Sequence, residues 1–138
     1  DTEHARPADA SDELVQAVGS LSEALEYVER ARGHLYSFHQ LIGHADGLLD
    51  EVVDGLRGTG RDALADRIRD ELIGLNVLAG RWTFQVVEEF DDGYYATFAA
   101  LDKAVRDETM GGRRHVLEAE LKQRRRTRGR PGHEALPG

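Results

Sequence analysis

Apolar residues recur along the first part of the chain in a four–three alternation. Steps of seven from Leu14 reach Leu21, Val28, Leu35, Ile42, Leu49 and Leu56, all apolar. Ala17, Ala24, Ala31, Phe38, Ala45 and Val52 form a second set, mostly small. Val18, Leu25, Arg32, His39, Asp46 and Val53 form a third, apolar at its ends and polar at its centre. A repeat kept in phase over this length predicts a helix. Ser11 ahead of Glu13 and Leu14 supplies an N-cap, and Gly58-Thr59-Gly60 stops the helix and turns the chain. Gly33 costs only ~1 kcal/mol of helix propensity. It leaves the phase unchanged, so one helix over 11–57 is expected, about 70 Å long at 1.5 Å per residue. Two helices divided at Gly33 are the alternative.

The second half carries two helical stripes that are out of phase. Leu64, Ile68, Leu72, Leu75 and Ala79 form one. Phe84, Val87, Tyr94, Phe98, Leu101 and Val105 form the other, interrupted by Asp91. The slip predicts a kink or short loop at 76–80. Trp82 to Val86 alternates like a strand but is short and isolated, so it reads as a helix entry with Thr83 as the cap. That helix is expected to reach Glu108 and stop at Gly111-Gly112, with a final helix over 113–125. The fold class is therefore all-α: a long antiparallel helical hairpin or bundle, a short C-terminal helix and a basic tail. Residues 1–10 and 126–138 are expected to be disordered, flanking one helical domain over 11–125. The apolar face of the first helix is three heptad positions wide, more than one returning helix covers. This predicts a homodimer in a four-helix arrangement.

Composition narrows the chemistry. With no cysteine among 138 residues, disulfides, thiolate metal sites and cysteine nucleophiles are excluded. No apolar run is long enough to span a membrane, and the polar start does not resemble a signal peptide, so a cytoplasmic location is expected. No nucleophile stands beside a base at useful spacing. The glycines form neither a phosphate loop nor a dinucleotide fingerprint. A non-enzymatic role is the expectation.

Three polar residues on the core seam carry the most information. A buried charge without a partner costs several kcal/mol, so Arg32, His39 and Asp46 each require one. With a turn centred near residue 59, Arg32 falls opposite Glu88 and Glu89, His39 near Asn76, and Asp46 near Glu71. A buried ion pair of Arg32 with Glu88 or Glu89 is expected. Such groups set register in coiled coils. Carboxylates and histidines on facing helices also bind divalent iron, manganese or zinc. His39, Asp46, Glu71, Glu88, Glu89 and Asp91 are the available ligands. The Glu-x-x-His pair typical of di-iron bundles is missing, and its reversed counterpart, His115-x-x-Glu118, lies in the basic end. His34 is expected partly buried and His44 exposed. Tyr94 belongs to the core stripe, and the Tyr95 hydroxyl is expected to meet a carboxylate.

Charge divides the chain. Residues 1–111 carry a net charge of −13 and residues 112–138 one of +5, within a total of −8. Lys122, Arg124, Arg125, Arg126, Arg128 and Arg130 make a basic cluster without interleaved aromatics. It suits nonspecific contact with nucleic acid or an acidic protein, or with the acidic body of the chain itself. The stretches 32–46 (RGHLYSFHQLIGHAD), 80–95 (GRWTFQVVEEFDDGYY) and 124–134 (RRRTRGRPGHE) resemble a small family of uncharacterised prokaryotic proteins of haloarchaeal and actinobacterial type. The likeness covers most of residues 25–134. It implies a cytoplasmic helical protein and brings no activity with it. Three roles follow as expectations: an oligomeric scaffold or adaptor with an arginine-rich docking tail, a bundle-core metal protein, and a nonspecific nucleic-acid binder.

Overall fold

A computed structural model describes residues 2–136 and is all-α. Helix α1 runs unbroken over Asp12–Gly58, so Gly33 does not divide it. The Ser11 hydroxyl accepts the Leu14 N–H at 3.1 Å, the expected N-cap. Gly60, at φ 77, supplies the left-handed step that lets the chain reverse. Helix α2 covers Asp62–Glu71 and helix α3 Thr83–Phe90. A π-helical turn over Asp91–Tyr95 leads into α4, Ala96–Thr109, and α5 covers Val116–Arg125. The predicted loop lies between α2 and α3, where an isolated bridge joins Leu78 to Arg81. Trp82, rather than Thr83, occupies the cap position of α3, and its N–H donates to Gln85 Oε1 at 2.9 Å.

The chain divides into two compact units. One combines the residues up to Glu29 with those from Tyr94 onward, and the other is Arg30–Gly93. The first holds a small core of Ala10, Val15, Val18, Met110 and Val116, flanked by Leu14, Val105 and Leu117. α5 approaches α1 closely here. A Cβ added at Gly19 would collide with the Leu117 side chain, which would have to shift to admit it. The stretch before α1 is not a free tail. Arg6 reaches Glu120 on α5 at 2.6 Å and Asp12 at 2.6 Å, and Ala10 is buried. Residues 126–136 likewise fold into turns, with Thr127 N–H donating to His133 Nδ1 and His133 N–H to the Arg130 carbonyl.

Within Arg30–Gly93 the chain returns antiparallel to α1. Partners fall in number as α1 advances: Asp91 for Arg32, Thr83 for His39, Gly74 for Asp46 and Asp66 for Arg57. Only Ala65 and Val87 are buried in this unit. Tyr36, Phe38, Leu41, Ile42, Leu48, Val52, Leu64, Leu72, Leu75, Leu78, Trp82 and Phe84 all remain exposed there.

The heptad sets of α1 are sorted by this packing. In the Val18 set every member is buried or half-buried, the polar Arg32, His39 and Asp46 included. The Leu14 set is half-buried except Ile42, which is exposed. The Ala17 set faces outward, with only Ala24 half-covered.

Candidate functional site

The polar seam of α1 does find partners, but in a different register from the expected one. The Arg32 guanidinium grips Asp91 with two hydrogen bonds, Nε to Oδ1 at 2.6 Å and a terminal nitrogen to Oδ2 at 2.8 Å. This replaces the expected pairing with Glu88 or Glu89. Glu89 instead meets Arg81 at 2.9 Å, and Glu88 is exposed. The turns at 59–61 and 72–82 use up residues without advancing along α1, so a later carboxylate arrives opposite Arg32. The pair is also half-exposed rather than buried, at 36% and 27% of side-chain surface. The guanidinium beside Asp91 holds that carboxyl below its ordinary range. Arg32 further lies over the Tyr36 ring, 5.9 Å from its centroid.

His39 Nδ1 meets Thr83 Oγ1 at 2.7 Å, not Asn76. Asp46 Oδ1 accepts the Gly74 N–H at 3.2 Å, not a contact near Glu71. Glu71 pairs with Arg67 one turn earlier in α2. The six expected metal ligands therefore do not converge: His39, Asp46, Glu71, Glu89 and Asp91 each engage a separate partner, and Glu88 is exposed. The contacts of Arg32, His39, Asp46 and Arg57 join α1 to the returning chain at successive levels.

Among the described residues the one group of three or more histidines and carboxylates with ligand atoms close together is Glu26, His115 and Glu118. Their donor atoms lie within 4.8 Å of one another, and all three residues are exposed. Glu26 sits on α1 and Glu118 in the first turn of α5. His115 precedes α5 in the left-handed region, φ 56, with Nδ1 3.3 Å from Glu118 Oε2. One imidazole and two carboxylates suit a borderline divalent ion with water completing the shell. The His115-x-x-Glu118 spacing was the sequence signal; the contribution of Glu26 depends on α5 docking against α1.

A buried ion pair does exist, at residues the sequence did not single out. Asp102 is 4% exposed. It accepts the Ser22 hydroxyl at 2.7 Å and Arg106 Nε at 3.0 Å. Arg106 also donates to the Gly112 carbonyl at 3.5 Å. Leu101, expected in the core, is exposed instead. The π turn explains the exchange. It widens the helical repeat by one residue, so the inward line passes through Tyr95, Phe98 and Asp102. Tyr94 is turned outward for the same reason, while the Tyr95 hydroxyl donates to Glu29 at 3.3 Å, a carboxylate as expected. His34 and His44 are both exposed, which corrects the expectation for His34.

The basic end is presented openly. Lys122, Arg124 and Arg125 occupy the last turn of α5, where positive charge complements the helix dipole. Among the described residues no carboxylate lies within ion-pair distance of Lys122, Arg124, Arg125, Arg128 or Arg130. Arg126 is tied locally, to Gln123 and the His133 carbonyl. Among the described residues the cluster makes no ion pair at contact distance, although Arg124 and Lys122 lie near enough to Glu120 and Glu134 to favour their charged forms.

No helix among the described residues is long and apolar enough to cross a membrane. No protein-family model, curated protein or solved structure matches the chain, so the geometry alone carries the functional argument.

Proposed function

We propose that this chain is a non-enzymatic helical scaffold that associates with itself and docks an anionic partner through its arginine-rich end. The observation that carries the first part is the imbalance within Arg30–Gly93. Two residues are buried there, while twelve large apolar side chains stay exposed. At roughly 25 cal/mol per Å² of apolar surface, covering part of this exposed surface favours association. The second part rests on the exposed cations Lys122, Arg124, Arg125, Arg128 and Arg130. A partner there would be read by charge, as a phosphate backbone or an acidic protein surface is. Binding to duplex DNA measured in rising salt, with and without residues 122–136, tests this part. Salt-independent binding, or binding unchanged by the truncation, would contradict it.

A metal-binding role is the second reading, favoured by the convergence of Glu26, His115 and Glu118. The proposed ligands then differ from the seam residues that the heptad pattern pointed to. Elemental analysis of the purified protein separates the readings. Stoichiometric metal that disappears in His115→Ala would establish the metal role; metal-free protein with unchanged self-association leaves the scaffold role alone.

A further inference from the structure

The outward face of α1 carries a second four–three apolar repeat, distinct from the seam that packs on the returning chain. Ala31, Phe38, Ala45 and Val52 occupy one position, and His34, Leu41 and Leu48 the other. Every one of them is exposed, Leu41 at 66% and Leu48 at 48%. They lie within Arg30–Gly93 and span about 33 Å of helix, roughly six turns. Alternating apolar positions at a 3.5-residue spacing form the seam of a two-stranded coiled coil, here lacking its second strand.

Resting on the self-association proposed above, we infer that this seam is covered by the same seam of a second copy, running antiparallel. Packing and charge both select that direction. Antiparallel pairing with Phe38 across from the second copy's Leu41 also sets Ala31 against Leu48 and Ala45 against His34. Small residues then face large ones, which fills the seam evenly. A parallel pair would stack Ala31 on Ala31 and Ala45 on Ala45, leaving voids, and would crowd Phe38 against Phe38. It would also set His34 against His34.

The flanking residues agree. Arg30 and Glu51 sit just before the first and last members of the Ala31 set and are exposed. In the antiparallel register Arg30 of each copy lies beside Glu51 of the other, giving two symmetric opposite-charge contacts. In the parallel arrangement the neighbours of Arg30 are apolar. Flanking charges are what fix direction and register in such assemblies.

The chain has no cysteine, so single cysteines report proximity without background. Ala31→Cys and Leu48→Cys are prepared separately, unfolded, mixed and refolded together, then oxidised mildly. The antiparallel seam gives a mixed disulfide between positions 31 and 48. Each variant alone cross-links poorly, because its two thiols lie about 25 Å apart. Leu48→Cys cross-linking with itself as readily as in the mixture would overturn the inference in favour of a parallel pair. Dimers that form without cross-linking in any arm would overturn the seam while leaving self-association intact. A chain that stays monomeric would overturn both. The charge contacts have their own readout. Glu51→Arg should weaken dimerisation by about tenfold. Adding Arg30→Glu to it should restore dimerisation, with helicity unchanged by circular dichroism. Failure of the double exchange to restore dimerisation overturns the register.

Discussion

Replacing Asp102 by alanine removes the one buried charged residue of the described chain and leaves Arg106, 12% exposed, without its carboxylate. The Ser22 hydroxyl loses its acceptor at the same time. Breaking one side of a buried ion pair typically costs about 3–5 kcal/mol. Arg106 retains a long contact to the Gly112 carbonyl and some exposure, so the low end, about 3 kcal/mol, is expected. With a urea m-value of about 1.5 kcal/mol/M, the unfolding midpoint should fall by roughly 2 M. The assay is urea denaturation followed by circular dichroism at one fixed protein concentration, because self-association shifts apparent stability. A companion variant sharpens the result. Asp102→Leu combined with Arg106→Leu removes both charges and should recover most of the loss, since apolar replacements of buried pairs are often neutral. A midpoint shift below about 0.3 M for Asp102→Ala, equivalent to roughly 0.5 kcal/mol, would refute the account of this pair.

Two glycines of α1 should respond in opposite directions. Gly33 has open space at its Cβ and sits mid-helix, so Gly33→Ala should stabilise by about 0.5–1 kcal/mol, seen as a higher thermal midpoint. Gly19→Ala drives a methyl group into Leu117 and should destabilise by about 1–3 kcal/mol in the same measurement. The pH dependence also has a fixed sign. Arg32 beside Asp91, and Arg6 beside Glu120, hold those carboxyls below their ordinary values in the folded state. Their contributions are therefore complete above the unfolded values, about 4, and lost as pH falls through the lower folded ones. Thermal midpoints should be level from pH 8 to 6 and fall below pH ~4; a midpoint constant down to pH 2 would contradict this. Raising salt should weaken the same two contacts, because both are partly exposed.

The legible parts of the fold share a physical cause. α1 was readable because one period runs through 47 residues without a phase change, and Gly33 is too cheap an exception to break it. The inward position of Arg32, His39 and Asp46 followed from the same period, and each has a partner on the returning chain. The identity of those partners was not legible. It depends on how many residues the turns at 59–61 and 72–82 consume, which no periodicity reports. Phase was lost again at Asp91–Tyr95, where the π turn moved Asp102 inward and Leu101 outward. The polar interruption Asp91-Asp92-Gly93 within an apolar stripe was the available signal for that shift. Glu26 joins His115 and Glu118 only through the approach of α5 to α1 at Gly19 and Leu117, a contact between segments far apart in sequence.

The outer face of α1 shows the opposite case. The period of the Ala17 set predicts one flank of a broad core face, yet all its members but Ala24 are exposed. Its exposure is the reason for proposing a scaffold that pairs with itself. Sedimentation equilibrium of the purified chain at micromolar concentration tests that proposal most directly. The account predicts twice the chain mass, reverting toward the single-chain mass when Leu41 and Leu48 are both replaced by glutamate. A single-chain mass for the unaltered protein across that range would contradict it.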